Sequence, residues 1–288
     1  MRLSSNRSAW SSVLATLVVL WVLVAPTGKS AGGSELKPET AAAFDRYVRA
    51  AEARMDDDVS ENEFLVVDRL PDARREQAYN QLRRGQLYVE QLHAREDHGG
   101  IHIPSGQIHH WAGAIFIPGA TLSQAVAVLQ DYADHYEIFK PQIRRSKLIE
   151  RNGDESKIYL QLFNNSIVTV VLNANFDVTD TQFGSARHQI ATRSTRIAEV
   201  ADPDTANEHE RPVGNDHGYM WRINSYWRIE EKDGGVYVQN ESVALSRTIP
   251  AIFAWLVNPF TKNLPRNILV HLLTATRNAV LKAGTSSQ

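Results

Sequence analysis

The sequence predicts an α+β fold, with helices before and after a long run of antiparallel strands. Three observations carry this. Asn152-Gly153, the strongest short hairpin signal, joins two strand-like runs, Ile143–Arg151 and Ser156–Phe163. Two later stretches, GYMWRINSYWRIEE and GVYVQNESVALSR, meet at Asp233-Gly234-Gly235, and the first alternates apolar with polar side chains. The chain then closes with TKNLPRNILVHLLTATRNAVLKAG, whose apolar residues recur at helical spacing.

At the N-terminus, Arg2 and Arg7 precede the uncharged run VLATLVVLWVLVA, and small residues follow in PTGKSAGGS. Residues 1–33 therefore have the outline of a secretory signal peptide. The apolar run is about 13 residues, short of the ~18–20 that span a bilayer. An uncleaved anchor in the inner membrane is the alternative.

Residues 34–106 read as a helical and strand extension. Phe44, Tyr47, Val48 and Ala51 make one stripe of a helix from Thr40 to Met55, and the acidic Asp56-Asp57-Asp58 is expected to end it as a solvated loop. Phe64–Val67 is a short strand or the buried end of a loop. Pro71 opens a second helix, and Gly85 is placed to stop it. Gln86 to Glu96 looks like a strand, and the Gly- and Pro-rich DHGGIHIPSGQIHHW leads into the main domain.

The main domain covers residues 107–284. Its first strand, IHHWAGAIFI, ends at Pro118-Gly119. Thr121 and Gln124 have capping-box spacing, and Leu122, Ala125, Val126, Leu129 and Tyr132 follow as an apolar stripe. A short helix carries Tyr136 to Phe139; Lys140 precedes Pro141 and is steered away from helical dihedrals. In the strands that follow, Ile158, Leu160 and Leu162 share one face. SARHQIATRSTRIAEV reads as a polar strand with wet edges, and residues 201–218 as a long polar loop. Trp221, Ile223, Trp227 and Ile229 are expected to face inward, with Tyr226 and Arg228 opposite. The hairpin register sets Glu241 beside Tyr226, where Arg–Glu pairs form on an outer face. In the last helix, Ile268, Leu269, Leu272, Leu273, Ala275 and Ala279 make the apolar side, and Gly284 suits a C-terminal cap.

Composition narrows the function. The chain has 288 residues, enough for a sizeable core, and its net charge of −2 lacks the basic excess of a nucleic-acid binder. With no cysteine, disulfides, thiolate chemistry and a lipobox-type acyl anchor are excluded. An exported chain without cysteine suits a bacterial periplasmic or secreted protein.

The segments IPGATLSQAVAVLQDYADHYEIFKPQIRRSKLIERNGD and WRINSYWRIEEKDGGVYVQNESVALSRTIPAIFAWLVNPF resemble the START/Bet v 1-like superfamily, which includes polyketide cyclase/dehydratase and lipid-transport types. The resemblance covers about Gln107 to Lys282 and rests on element order. It implies a helix-grip fold: a curved antiparallel sheet around the long C-terminal helix, a cavity between them, and the two short helices sealing one end. It implies an apolar ligand, a lipid above all. The inward residues expected to line the cavity are Ile158, Leu160, Leu162, Trp221, Ile223, Trp227, Trp255, Ile268 and Leu272. The other reading is a cyclase/dehydratase-type or hydrolytic enzyme on a hydrophobic substrate in the same cavity, with Glu241, Tyr226 or His135 as its ionisable group.

Other candidates read as structural. His98, His102, His109 and His110 match no metal-ligand spacing, and His109 and His110 point to opposite faces of a strand. Asp131, Asp134, His135 and Glu137 read as a solvated helix face. The segment IPAIFAWLVNPF reads as a buried lid; its other reading is a gate in transient contact with a membrane. No cofactor or metal is expected, and no G-x-S-x-G, H-E-x-x-H or P-loop pattern is present.

Overall fold

The computed structural model describes residues 34–60, 62–96, 99–165, 169–248 and 263–286. Residues 1–33, His98 and the segment 249–260 with Trp255 lie outside the described residues. The extension contributes β1 (Ser34–Glu35), α1 (Pro38–Ser60), a 3-10 turn (Val66–Arg69), α2 (Asp72–Arg83), β2 (Tyr88–Gln91), β3 (Arg95–Glu96) and β4 (Gly99–Gly100). Next come β5 (Gly106–Pro118), α3 (Leu122–Gln130), α4 (His135–Ile138), β6 (Ile143–Asn152), β7 (Glu155–Asn164), β8 (Val170–Phe183) and β9 (Arg187–Ala201). The short β10 (His209–Glu210) and β11 (Asn215–Asp216) precede β12 (Arg222–Lys232), β13 (Gly235–Arg247) and the final helix α5 (Leu264–Ser286).

The main sheet has nine strands, ordered β2-β5-β13-β12-β9-β8-β7-β6, with β10 added on β9. Every pair is antiparallel. After β5 the chain crosses through α3 and α4 to the far edge, then meanders back until β13 closes on β5. The two-residue turns behave as their chemistry requires. Asp233 and Gly234 both have positive φ (56° and 73°) between paired Lys232 and Gly235, the type I′ pattern. The other hairpin turns one residue later than expected: Asn152 pairs with Glu155, and Gly153 at φ 59° takes the first central position alone.

The sheet separates two layers. On its inner face lie α3 and α5, with a core built on Ile115, Ile117, Ile229, Val236, Val238, Leu269 and Leu273. On its outer face the extension packs in two clusters. Phe64, Leu65, Val67 and Leu82 meet Phe116 and Tyr237; Phe44, Tyr47 and Val48 meet Val243 and Leu245. Thr121 and Gln124 form the expected capping box on α3.

Several local expectations are corrected. Asp56-Asp57-Asp58 does not end α1, which continues to Ser60; Asp58 is buried, because Arg54 and Arg69 neutralise it. The strand holding SARHQIATRSTRIAEV is central, between β12 and β8, not an edge. The loop 201–218 folds back, with β10 pairing β9 and β11 pairing β1. His135 is buried, not solvated. Helix α5 runs past Gly284, and its buried stripe is Leu269, Leu273, Thr276 and Val280, about one position round from the expected side. Thr276 is tolerated there because its hydroxyl bonds the Leu272 carbonyl.

Candidate ligand site on the inner face

Strand register arranges the inner face in rungs across β5, β13, β12 and β9. Ile115, Val238 and Ile229 form one rung. Gly113, Asn240, Trp227 and Ile190 form the next, followed by Trp111, Ser242, Ser225 and Thr192, then His109, Ala244 and Ile223. The first rung is fully buried. Along the last two, Trp111, Ser242, Ser225, Thr192, His109 and Ile223 are only half-buried, as is Trp227. Among the described residues the face is therefore fully packed at one end and only partly covered at the other.

The seal comes from the short helices. The carboxylate of Glu231 accepts from Leu122 N at 2.5 Å at the start of α3, and Gln130 at its end donates to Asp180, which also pairs with His188. His135 lies edge-on between Tyr132 and Phe139, and its Nε2 donates to the Leu129 carbonyl at 3.0 Å. Burial pushes the His135 pKa down to about 4, only partly offset by that carbonyl. Phe139 stacks on Trp227 at 6.4 Å, joining the seal to the open part of the face.

Of the expected lining residues, Ile158 and Leu160 are buried in the inner core, and Leu162, Ile223, Trp227 and Leu272 are half-buried against it. Ile268 is half-buried and outside the core clusters. Trp221 is a correction: it packs on the outer face with Phe44, Tyr47 and Leu245. It precedes β12, and its ring covers Gly218, whose φ of 70° turns the chain, so strand alternation does not reach it.

Glu241 and Tyr226 are paired in register, as expected, and lie on the outer face, between the Asn240–Trp227 and Ser242–Ser225 rungs of the inner one. That face is not wet. Glu241 is 1% exposed beneath α1, bound by His110 Nε2 at 2.7 Å and by Arg54. A carboxylate only accepts, so Nε2 carries a hydrogen, while Nδ1 lies 2.9 Å from the Tyr47 hydroxyl. Burial alone would raise the Glu241 pKa; the His110 hydrogen bond and the charges of Arg54 and Arg228 outweigh it and hold the carboxyl below its ordinary value. Arg228 donates to the carbonyls of Phe64 and Met55 and to Gln189, and Tyr226 donates to Glu52. The network clamps the extension to the sheet. An open groove of about 960 Å³ adjoins it, lined by Tyr47, Leu92, Ile101 and Ile108. The Tyr47 hydroxyl at its edge is already committed to His110 and Ala94 N.

Sequence reasoning did not single out Trp111, Asn240, Ser225, Ser242 or Thr192, and weighed His109 only as a metal ligand. A signal for two of them was present: Asn240 and Ser242 interrupt an otherwise apolar alternation from Val236 to Ala244. His109 faces inward, with Nε2 2.9 Å from Ser246 Oγ, and burial lowers its pKa.

Gly113 decides how the last helix sits. A Cβ there would lie 2.9 Å from Leu273 Cδ1 and 3.1 Å from Leu269 Cδ2, so α5 rests directly on the sheet backbone of β5. The fold is a helix grip. No family model matches this sequence, and no curated protein matches it. Solved structures similar to this helix grip include the Zhui aromatase/cyclase from a Streptomyces species, at 12% identity over 61% of this chain and 95% of that one, TM-score 0.42. A STAR-related lipid transfer protein from Xanthomonas axonopodis is 19% identical over 66% and 98%, TM-score 0.40. Human STARD10 is 10% identical over 76% and 84%, TM-score 0.42. All three lie below a TM-score of 0.5 and are recorded as likenesses; the strand order and the helix laid on Gly113 make the fold.

Proposed function

We propose that this chain is an exported protein that binds a hydrophobic small molecule, a lipid in the first instance, between the sheet and the C-terminal helix, without chemistry. The observation that carries the reading is the open end of the inner face, where Trp111, Ile223 and Trp227 remain half-buried beside a fully packed core. Covering them releases water from apolar surface, at roughly 0.8 kcal/mol per buried methylene. One acyl chain or ring system is then held with few polar contacts. The similar structures include a lipid transfer protein and an aromatase/cyclase, which accords with an apolar ligand. The residues proposed to meet it are Leu162, Ile223, Trp227 and Leu272, with Ile158 and Leu160 beneath. Export rests on the signal-peptide outline at residues 1–33, and contact with a membrane during loading on the segment 249–260.

The test is native mass spectrometry on the exported protein purified from a bacterial periplasm. The expected result is a mass excess that disappears on extraction with organic solvent, together with binding of a fluorescent lipid. The bare polypeptide mass and no lipid binding would overturn the reading. Fractionation of the producing cells tests export separately.

A further inference from the structure

Asn240 is 1% exposed on the inner face, between Gly113 and Trp227. Its Nδ2 donates to Ser225 Oγ at 2.7 Å, while among the described residues its Oδ1 finds no donor. Buried polar atoms are paired in the great majority of proteins, and an orphan costs about 1–3 kcal/mol. The next rung carries Ser225, Ser242 and Thr192, all half-buried and therefore still reached by water. A hydroxyl band thus crosses the face at the boundary between its fully packed and partly covered parts. A pure hydrocarbon lying there would strip these hydroxyls of water and return nothing.

Resting on the ligand reading above, we infer that the ligand is amphipathic and carries a hydroxyl that donates to Asn240 Oδ1, with Ser225 and Ser242 as neighbouring partners. An exchange of the amide's oxygen and nitrogen would instead leave a donor unpaired, which any ligand oxygen could satisfy, ether or alcohol; the comparison below separates the two orientations. Asn240 is thereby a specificity residue: it selects for a hydroxyl at one depth in the site rather than for apolar bulk.

The experiment compares hexadecanol with hexadecyl methyl ether, which keeps the oxygen and loses the donor. Both are delivered from cyclodextrin to the full chain, and affinity is read by displacement of anilinonaphthalene sulfonate. The alcohol is expected to bind about 10-fold more tightly than the ether, the usual weight of one net hydrogen bond. In Asn240→Leu the ratio falls to near one. Asn240→Ala replaces that variant if it does not fold. A wild-type ratio near one, or a preference that persists in the variant, overturns the inference while the ligand reading stands. Binding of neither probe removes both.

Discussion

Gly113 and Leu273 meet where a side chain would not fit: a Cβ on residue 113 would stand 2.9 Å from Leu273 Cδ1. The same Cβ would come within 3.1 Å of the Tyr88 carbonyl, which as backbone cannot swing aside. Gly113→Val is therefore expected to destabilise the chain by about 2–3 kcal/mol through overpacking. Chemical denaturation measures it. Combining the change with Leu273→Ala should cost less than the two single losses added together, because the two sites share one contact. An unaffected unfolding midpoint for the valine variant would contradict the close approach of α5.

The buried Glu241 predicts an acid limb in stability. Its carboxyl is held below the ordinary value, so its contribution is complete above about pH 4.5, the unfolded value, and fades as pH falls through the lower folded one. Glu241→Gln should flatten that limb. It should also cost about 3 kcal/mol at neutral pH, because Arg228 and Arg54 lose the opposing charge. Equilibrium unfolding from pH 3 to 7 reads both effects.

His135 acts in a different window. Its folded pKa of about 4 lies below the ordinary histidine value of 6.5, so the unfolded chain binds the extra proton between those limits. Stability is full above about pH 6.5 and declines as pH falls toward 4, by about 3 kcal/mol in all. His135→Gln, which keeps a donor for the Leu129 carbonyl, is expected to remove this slope while leaving the Glu241 limb at lower pH. A slope unchanged in the variant would place the titration elsewhere.

Removal of residues 34–83 uncovers Phe116 and Tyr237 and strands Arg228, whose carbonyl partners are Met55 and Phe64. A cation stripped of its carbonyl partners and an exposed aromatic patch both oppose folding. The truncated chain is expected to be insoluble or molten, scored by near-UV circular dichroism and sedimentation. A soluble, cooperatively folding product would show that the helix-grip layer stands alone.

Ile223 is half-buried on the open rung, beside Ala244. Ile223→Asp should leave the unfolding midpoint nearly unchanged and weaken binding of a fluorescent lipid at least 10-fold, since ligand entry would then desolvate a carboxylate. Equal binding by the variant would move the site away from this rung.

The sequence by itself determined the order of elements and much of their pairing. The Asp233-Gly234 turn set the register of β12 on β13, and so placed Tyr226 beside Glu241 and Trp227 beside Asn240. The capping box at Thr121 and the stop at Gly85 were local chemistry, hence legible. Tertiary structure alone decided what covers each face. Alternation separates two faces but does not say that α1 lies over one of them, so Glu241 reads as a wet ion pair until Arg54, from 187 residues away, is seen to reach it. The buried stripe of α5 was likewise set by contact: the one gap in the β5 face, at Gly113, admits Leu269 and Leu273, and the helix turns to fill it. Periodicity is a property of one segment; burial is a property of two.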